Sequence, residues 1–528
     1  MTMTENAAAK ILIDGQWIAS EAESTFQAYD PSQCKTLEAT FPVSSWADCE
    51  KALDAASRAA VELRELGPER VAEFLEAFAD AMDENIDTLA AVAHQETGLP
   101  VEPRLAKVEG PRTSGQLRQA AAAAREGTWT QPVIDTAANI RSCYEALGPV
   151  CVFGPNNFPF AFGSLSGGDF AAAIAAGNPV IGKANTSHPA TTKMLGELAQ
   201  AAAEKTGMPS GMIQLIYRTS HENGTKLVSD PRLAAVGYTG SRRAGLVLKS
   251  VADQVGTPIY LELSSVNPVL LLPGALKERG EEILGEFITS VLMGTGQFCT
   301  NPGMVLLLES DESEQFISGV VEKFAGPSGT LLSPSVQNSL TAAIETLKGG
   351  GAELLCGGDA QEGRCSIANT LLRVSGSQFL SAPELFQTEA FGNASLIVVS
   401  KGIEEVGQIF AALEGNLTGC IYSAKDGGDD ADYDQVSKIL AGRVGRMLND
   451  KMPTGVAVSP AMNHGGPFPA TGHPGTTAVG IPASISRFAK LTCYDGIRPD
   501  RLPLILQDKN PNGAYRFIDL KWTTEDVG

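Results

Sequence analysis

The polar and apolar pattern changes character near residue 143. Before it the helical period dominates. The stretch from about 47 to 98, including "RVAEFLEAFADAMDENIDTLAAVAHQETG", places apolar residues at helical spacing and predicts two or three helices that stop at Gly98, with Pro100 beyond. "RTSGQLRQAAAAAREG" predicts a further helix ending at Gly127. From Cys143 onward, short apolar runs alternate with helical ones. "VCVFG" (150–154), "PVIGKA" (179–184), "MIQLIY" (212–217), "AAVGYTG" (234–240), "IYLEL" (259–263) and "PVLLL" (268–272) read as strands, with helices between most of them and one starting at Ser241. This β-α-β-α rhythm predicts a parallel sheet covered by helices, with ligands beyond the carboxyl ends of its strands. A second α/β segment from about 275 to 475 has "LIVVSK" and "GCIYSA" as strand candidates, and its Gly/Pro-dense "NHGGPFPATGHPG" (463–475) is expected to be loop. Residues 1–8 are expected to be frayed, and the tail after 480 is separate in character.

Composition narrows the function. A chain of 528 residues needs two or three domains. Its formal charge of −21 repels phosphate backbones, so no nucleic-acid partner is expected. No secretory signal and no apolar run of roughly 18 residues is visible, so a cytoplasmic enzyme that does not enter a membrane is expected. The nine cysteines include no CxxC, which argues against a disulfide framework and a zinc site.

Chemistry is harder to read from spacing alone. No G-x-G-x-x-G follows the first strand; "FGPNNFPF" stands there. Ser241, between a strand and a helix, could hold a pyrophosphate, or serve only as a helix cap. Cys299, in "GTGQFCTNPG", is one thiol of nine, and none of the five histidines is near it in sequence. A working thiol needs a base, a positive field or helix-terminal N–H groups. Spacing alone does not single Cys299 out from a small core residue. The glycines around it are expected to let backbone approach a ligand closely.

The motifs taken together say more. "NNFP", "YTGSRRAG", "LELSSVNP" and "GQFCTNPG" occur in the order and spacing of the aldehyde dehydrogenase superfamily, which the whole chain resembles. "ELSS", "HGGPFPAT" and "ISRFAKLTCYDG" resemble its branch of 2-oxoglutarate semialdehyde (2,5-dioxopentanoate) dehydrogenases, with NADP-preferring fatty-aldehyde dehydrogenases as near relatives. The resemblance implies an α/β fold with a Rossmann-type cofactor domain (9–130 and 148–265), an α/β catalytic domain (266–478), and a small β oligomerisation arm with a C-terminal tail (131–147 and 479–528). It implies a homodimer or homotetramer.

Carried over residue by residue, the resemblance makes Cys299 the nucleophile that forms a thiohemiacetal and then a thioester. Asn157 and the Cys299 N–H would hold the oxyanion, and Glu262 would activate the hydrolytic water. No metal is implied. A CoA-acylating relative, an idle structural member of the fold and a cysteine hydrolase or thiol peroxidase are the competing readings. Glu262 counts against the first, the intact Cys299–Glu262–Asn157 set against the second, and a bound dinucleotide would count against the third. Lys183, Thr186, Arg218, Ser241, Glu389 and Phe391 would bind NADP or NAD. Thr186 stands where NAD-preferring members carry a glutamate, which favours NADP. For the substrate, Arg112 and Gln116 share a helix face. Arg112 is expected to reach a distal carboxylate, with Phe160, Phe162 and Phe298 as apolar walls that would equally suit a fatty aldehyde.

Overall fold

Three large sheets and one two-stranded sheet (Thr25–Asp30 with Lys35–Pro42) organise the described residues, 8–510 and 512–528, of the molecule, a computed structural model. Most of the expected frayed terminus, residues 1–7, lies outside the described residues. In the first sheet the order is Ile259–Glu262, Ala235–Thr239, Val150–Phe153, Val180–Lys183, Ile213–Ile216, Ile11–Ile13 and Gln16–Ile18. The first five strands are parallel, and the N-terminal pair adds antiparallel to the edge. Chain order reverses between Val150–Phe153 and Ala235–Thr239, since one neighbour follows immediately in sequence and the other only later. That reversal opens a crevice at the carboxyl ends of these strands.

The predicted strands are short because both faces are covered. Val150, Cys151, Val180, Ile181, Ile213, Leu215, Ala235 and Val236 are all buried, which is why the apolar runs show no alternation. The predicted helices form with their punctuation intact. The 47–98 region is three helices, Trp46–Glu65, Pro68–Glu84 and Ile86–Thr97. Ser45 and Asp48 form a capping box at the first, and Gly98 ends the third in the left-handed conformation at φ 68°. Helix Gly110–Glu126 ends at Gly127, also left-handed.

The second sheet has the order Glu353–Cys356, Thr370–Ser375, Ala394–Ser400, Met304–Leu308, Pro268–Leu271, Asn416–Tyr422 and Val444–Asn449. All neighbours are parallel except the Glu353–Cys356 edge. Apolar clusters cover its two faces. Pro268–Leu271 therefore belongs here and not with the run of strands that precedes it.

The third sheet joins distant parts of the chain: Ala489–Asp495, Ile140–Ala146, Val133–Asp135, Arg516–Ile518 and Lys521–Thr523. Arg516, fully buried, ties the tail on itself by donating to the carbonyls of Gln507, Asp508 (3.2 Å) and Glu525 (2.8 Å). Apolar side chains nevertheless remain exposed on this sheet and its tail, among them Leu491, Leu504, Leu520 and Trp522. Among the described residues no helix is long and apolar enough to cross a membrane.

Candidate active site

Four loops meet around Cys299. The first follows strand Val150–Phe153 and carries Asn157. It is held from outside by a buried acid–base pair: Glu109 accepts from the Phe160 and Ala161 N–H groups at 2.8 and 2.9 Å, and pairs with Arg104. Arg104 in turn donates to the Asn157 carbonyl at 3.0 Å. The Asn157 amide points inward and donates to the Gln297 carbonyl at 2.9 Å, two residues before Cys299.

The second loop is that of Cys299 itself. Gly294, Thr295 and Gly296 all have positive φ, a tight left-handed run that only glycine adopts cheaply. A Cβ at Gly296 would lie 2.0 Å from the Gly392 carbonyl oxygen. The close approach this glycine permits is thus to the protein's own "TEAFG" loop. Asn267, in "LELSSVNP", donates to the Cys299 carbonyl at 2.9 Å and the Asn301 carbonyl at 2.8 Å. Asn416 accepts from the Val266 and Asn267 N–H groups at 2.9 and 3.1 Å, so the second sheet anchors the thiol loop.

The third is the end of strand Ile259–Glu262. Glu262 is only 5% exposed, and its Oε2 is buried with no hydrogen-bond partner. The fourth is the 463–475 loop, and it supplies the residue the sequence did not reveal. His464 is buried, with Nε2 3.3 Å from the Cys299 sulfur and 2.9 Å from Glu262 Oε1. Its backbone N–H is held by Thr477 at 2.8 Å, and its ring lies 5.8 Å from that of Phe162. A thiol without a neighbouring histidine was the expectation from sequence; the neighbour arrives from 165 residues away. Burial and the Glu262 carboxylate push the Cys299 thiol well above its ordinary range, while the Arg112 guanidinium pulls the other way.

Beside this cluster, Arg112 is largely sequestered. Its guanidinium lies 5.2 Å from the Phe162 ring centre, and its Nε and Nη2 are buried without partners. Both polar atoms of the Gln116 amide are also buried and unpartnered. Phe158, Ala161, Phe162, Phe298 and Val479 form one apolar cluster. Phe160 does not join it: it is fully buried in the core of the first sheet, its N–H held by Glu109 and its carbonyl by Ser166 Oγ at 2.7 Å. The wall expected of Phe160 is supplied by Phe158, whose edge meets Phe298 at 5.2 Å.

The crevice over the first sheet is a separate, wider recess of about 1230 Å³. Lys183, Thr186, Arg218 and Ser241 line it. Burial lowers the Lys183 ammonium to about 8, helped by Arg218. Ser241 Oγ caps helix Arg242–Val255, accepting from the Ala244 N–H at 3.4 Å, so the plain capping reading holds and the residue still borders the cleft. Glu389 and Phe391 lie elsewhere, in a narrow pocket with Gly296, Phe298 and Asn301. Burial raises the Glu389 carboxyl to about 7, although the Ser265 N–H approaches it at 3.4 Å.

The aldehyde dehydrogenase family model matches residues 17–453. The chain belongs to the aldehyde dehydrogenase family. It is 39% identical to alpha-ketoglutaric semialdehyde dehydrogenase 2 of Azospirillum brasilense, over 97% of this chain and 99% of that one. It is 33% identical to the alpha-ketoglutaric semialdehyde dehydrogenase of Acinetobacter baylyi, over 98% and 99%. Its fold matches the NAD+ complex of an aldehyde dehydrogenase from Bacillus cereus with a TM-score of 0.79 at 19% identity, covering 93% of this chain and 96% of that one. This aldehyde dehydrogenase is therefore an NAD(P)-dependent oxidoreductase acting on small aldehydes. The crevice fits a dinucleotide on physical grounds: it lies at the switch point of a parallel sheet, has the volume for a large ligand, and holds a half-desolvated cation that an anionic ligand would relieve.

Proposed function

We propose that this enzyme oxidises 2-oxoglutarate semialdehyde to 2-oxoglutarate without coenzyme A, with NADP favoured over NAD. The observation that carries the reaction type is the buried Cys299–His464–Glu262 contact, with Glu262 Oε2 left unpartnered. Cys299 attacks the aldehyde carbon and its proton passes to Glu262 and on to solvent, while His464 Nε2–H, donating to Glu262 Oε1, orients that carboxylate beside the sulfur. The second Asn157 amide hydrogen and the Cys299 N–H hold the oxyanion of the thiohemiacetal. Such a donor is typically worth about 10²–10³ in rate. A bound nicotinamide would supply the hydride acceptor. The resulting thioester stays on Cys299, and Glu262 Oε2 takes a proton from the water that hydrolyses it, which is why no CoA acceptor is needed.

The substrate reading rests on Arg112. A buried guanidinium with two unpartnered nitrogens is costly unless an anion completes it. The distal carboxylate of the semialdehyde supplies that anion, and the Gln116 amide fits the 2-oxo group or a carboxylate oxygen. The names of the two relatives agree with this choice. Lys183 and Arg218 would hold the adenosine end of the cofactor, with Thr186 tolerating a 2′-phosphate that a glutamate would repel. Glu389 would hold the nicotinamide-side ribose, with Phe391 against the ring.

On the same reading, residues 9–130 and 148–265 form the cofactor domain, 266–478 the catalytic domain, and 131–147 with 479–528 the arm and tail. The exposed Leu491, Leu520 and Trp522 support a homo-oligomer built through that arm. Nine unpaired thiols support a cytoplasmic location.

Initial rates with 2-oxoglutarate semialdehyde, succinic semialdehyde and a long-chain aldehyde, each with NAD and NADP, test the proposal. The first substrate should have the highest kcat/KM, exceeding the long-chain aldehyde by at least about tenfold, the ratio expected from one charge-assisted hydrogen bond. A long-chain aldehyde in first place would overturn it in favour of a fatty-aldehyde dehydrogenase.

A further inference from the structure

The Cys299–His464–Glu262 contact also has the composition of a metal site. Cys299 Sγ, His464 Nε2 and a Glu262 oxygen all lie within 4.8 Å of one another. The sulfur–nitrogen and nitrogen–oxygen separations are 3.3 and 2.9 Å. In tetrahedral zinc, with bonds of about 2.3 Å to sulfur and about 2.0 Å to nitrogen or oxygen, ligand atoms sit roughly 3.3–3.6 Å apart. The two short separations lie within a few tenths of an ångström of what the ion requires.

The donor set is selective. One thiolate, one imidazole and one carboxylate suit zinc and poorly suit magnesium or calcium, which prefer all-oxygen shells. The three ligands come from three segments held independently: Asn267 grips the Cys299 loop, Thr477 holds the His464 backbone, and Glu262 ends a strand. Glu262 is 5% exposed with its Oε2 buried and unpartnered, and the ion takes the place of the hydrogen between His464 Nε2 and Glu262 Oε1, which moves to Nδ1. Charge balances as well. A dication meets one thiolate and one carboxylate, so the occupied site is neutral.

We propose that Cys299, His464 and Glu262 form a three-ligand zinc site whose occupation inactivates the enzyme reversibly. The step exchanges the thiol proton for the metal: Cys299–SH and Zn²⁺ give the zinc thiolate and one released proton, with no redox change. Water fills the fourth position. The thiol is then unavailable to an aldehyde, whatever that aldehyde is.

The test reads binding directly, so its outcome is independent of the substrate assignment. Chelator-washed full-length enzyme is titrated with Co²⁺ as the spectroscopic probe. One equivalent per chain should give a thiolate-to-cobalt charge-transfer band, which one equivalent of Zn²⁺ abolishes and excess Mg²⁺ leaves. The band should disappear in Cys299→Ser and persist in Cys34→Ser and Cys493→Ser, which remove the exposed thiols. His464→Ala should weaken zinc binding at least about tenfold in competition with a chromophoric chelator, consistent with loss of one of three ligands. Retained dinucleotide binding by each variant shows that it is folded. Absence of the band from the wild type, or its survival in Cys299→Ser, overturns the proposal.

Discussion

The wide crevice over the first sheet and the tight cluster around Cys299 are built on opposite rules. In the crevice, several neutral polar side chains already have partners. Ser241 and Ser220 cap helices, and Asn185 both donates to the Gly154 carbonyl at 3.0 Å and accepts from the Ser187 N–H at 2.9 Å. Around Cys299 the polar atoms are left waiting: Glu262 Oε2, two nitrogens of Arg112 and both ends of the Gln116 amide. Each buried, unmade hydrogen bond costs about 1–3 kcal/mol. The crevice keeps the desolvated Lys183 for an anionic ligand to relieve, but its capping groups need nothing further. The cluster holds its cost in reserve and recovers it when a reacting molecule arrives. Chemistry should therefore depend steeply on single atoms at the cluster and only gradually on those of the crevice.

The largest expected break in this contrast is Cys299→Ala. Aldehyde oxidation should fall by on the order of 10⁴-fold or more, as when other covalent nucleophiles are removed. Dinucleotide binding, followed by quenching of intrinsic fluorescence, should be untouched. Next is Glu262→Gln, which should slow turnover by about 10²–10⁴-fold, the usual contribution of a general base. The larger loss should fall after hydride transfer. Stopped-flow absorbance should show a burst of reduced nicotinamide near one equivalent per active site, followed by a slow phase. A proportional loss of burst and steady rate would place Glu262 before that step instead.

Arg112→Met comes third. It should raise KM for 2-oxoglutarate semialdehyde by about 10–100-fold, the equivalent of one charge-assisted hydrogen bond, and leave hexanal unchanged. Equal effects on both aldehydes would reduce Arg112 to a packing residue. The smallest effect belongs to the crevice and is graded with pH. Lys183 carries its proton below about 8 and loses it above, because burial favours the neutral amine. Affinity of the free enzyme for NADP should hold below that pH and weaken by up to about tenfold per unit above it, as one required proton is lost. Calorimetric titration from pH 7 to 9.5 should show the slope, and Lys183→Met should flatten it.

The same contrast explains what was legible in the sequence. The five parallel strands of the first sheet were readable because runs such as Val150–Phe153, Val180–Lys183 and Ala235–Thr239 are apolar and bounded by turn residues, whereas the short antiparallel pair Ile11–Ile13 and Gln16–Ile18 was not read. Pro268–Leu271 read as one more strand of that sheet, yet it joins the second, because pairing partners are chosen by topology and not by composition. The cluster was half legible. Cys299, Glu262 and Asn157 carried family motifs. His464 lay in a loop that read only as Gly/Pro-rich, and the buried Glu109–Arg104 pair gave no local signal. Phe160 and Phe162 are two apart in the same motif, yet one faces the core and the other the site, a difference set by the turn.

Gly296 sits where two loops touch. Its missing side chain lets the loop carrying the thiol lie directly on the Gly392 carbonyl, in the loop that carries Glu389. The two loops are in register with each other as meshed parts are: neither can shift without displacing its neighbour. Substituting alanine at Gly296 would wedge them apart by more than an ångström and move two distant chemical groups at once. The alignment of nucleophile and cofactor-side carboxylate is thus inherited from the absence of a single methyl group.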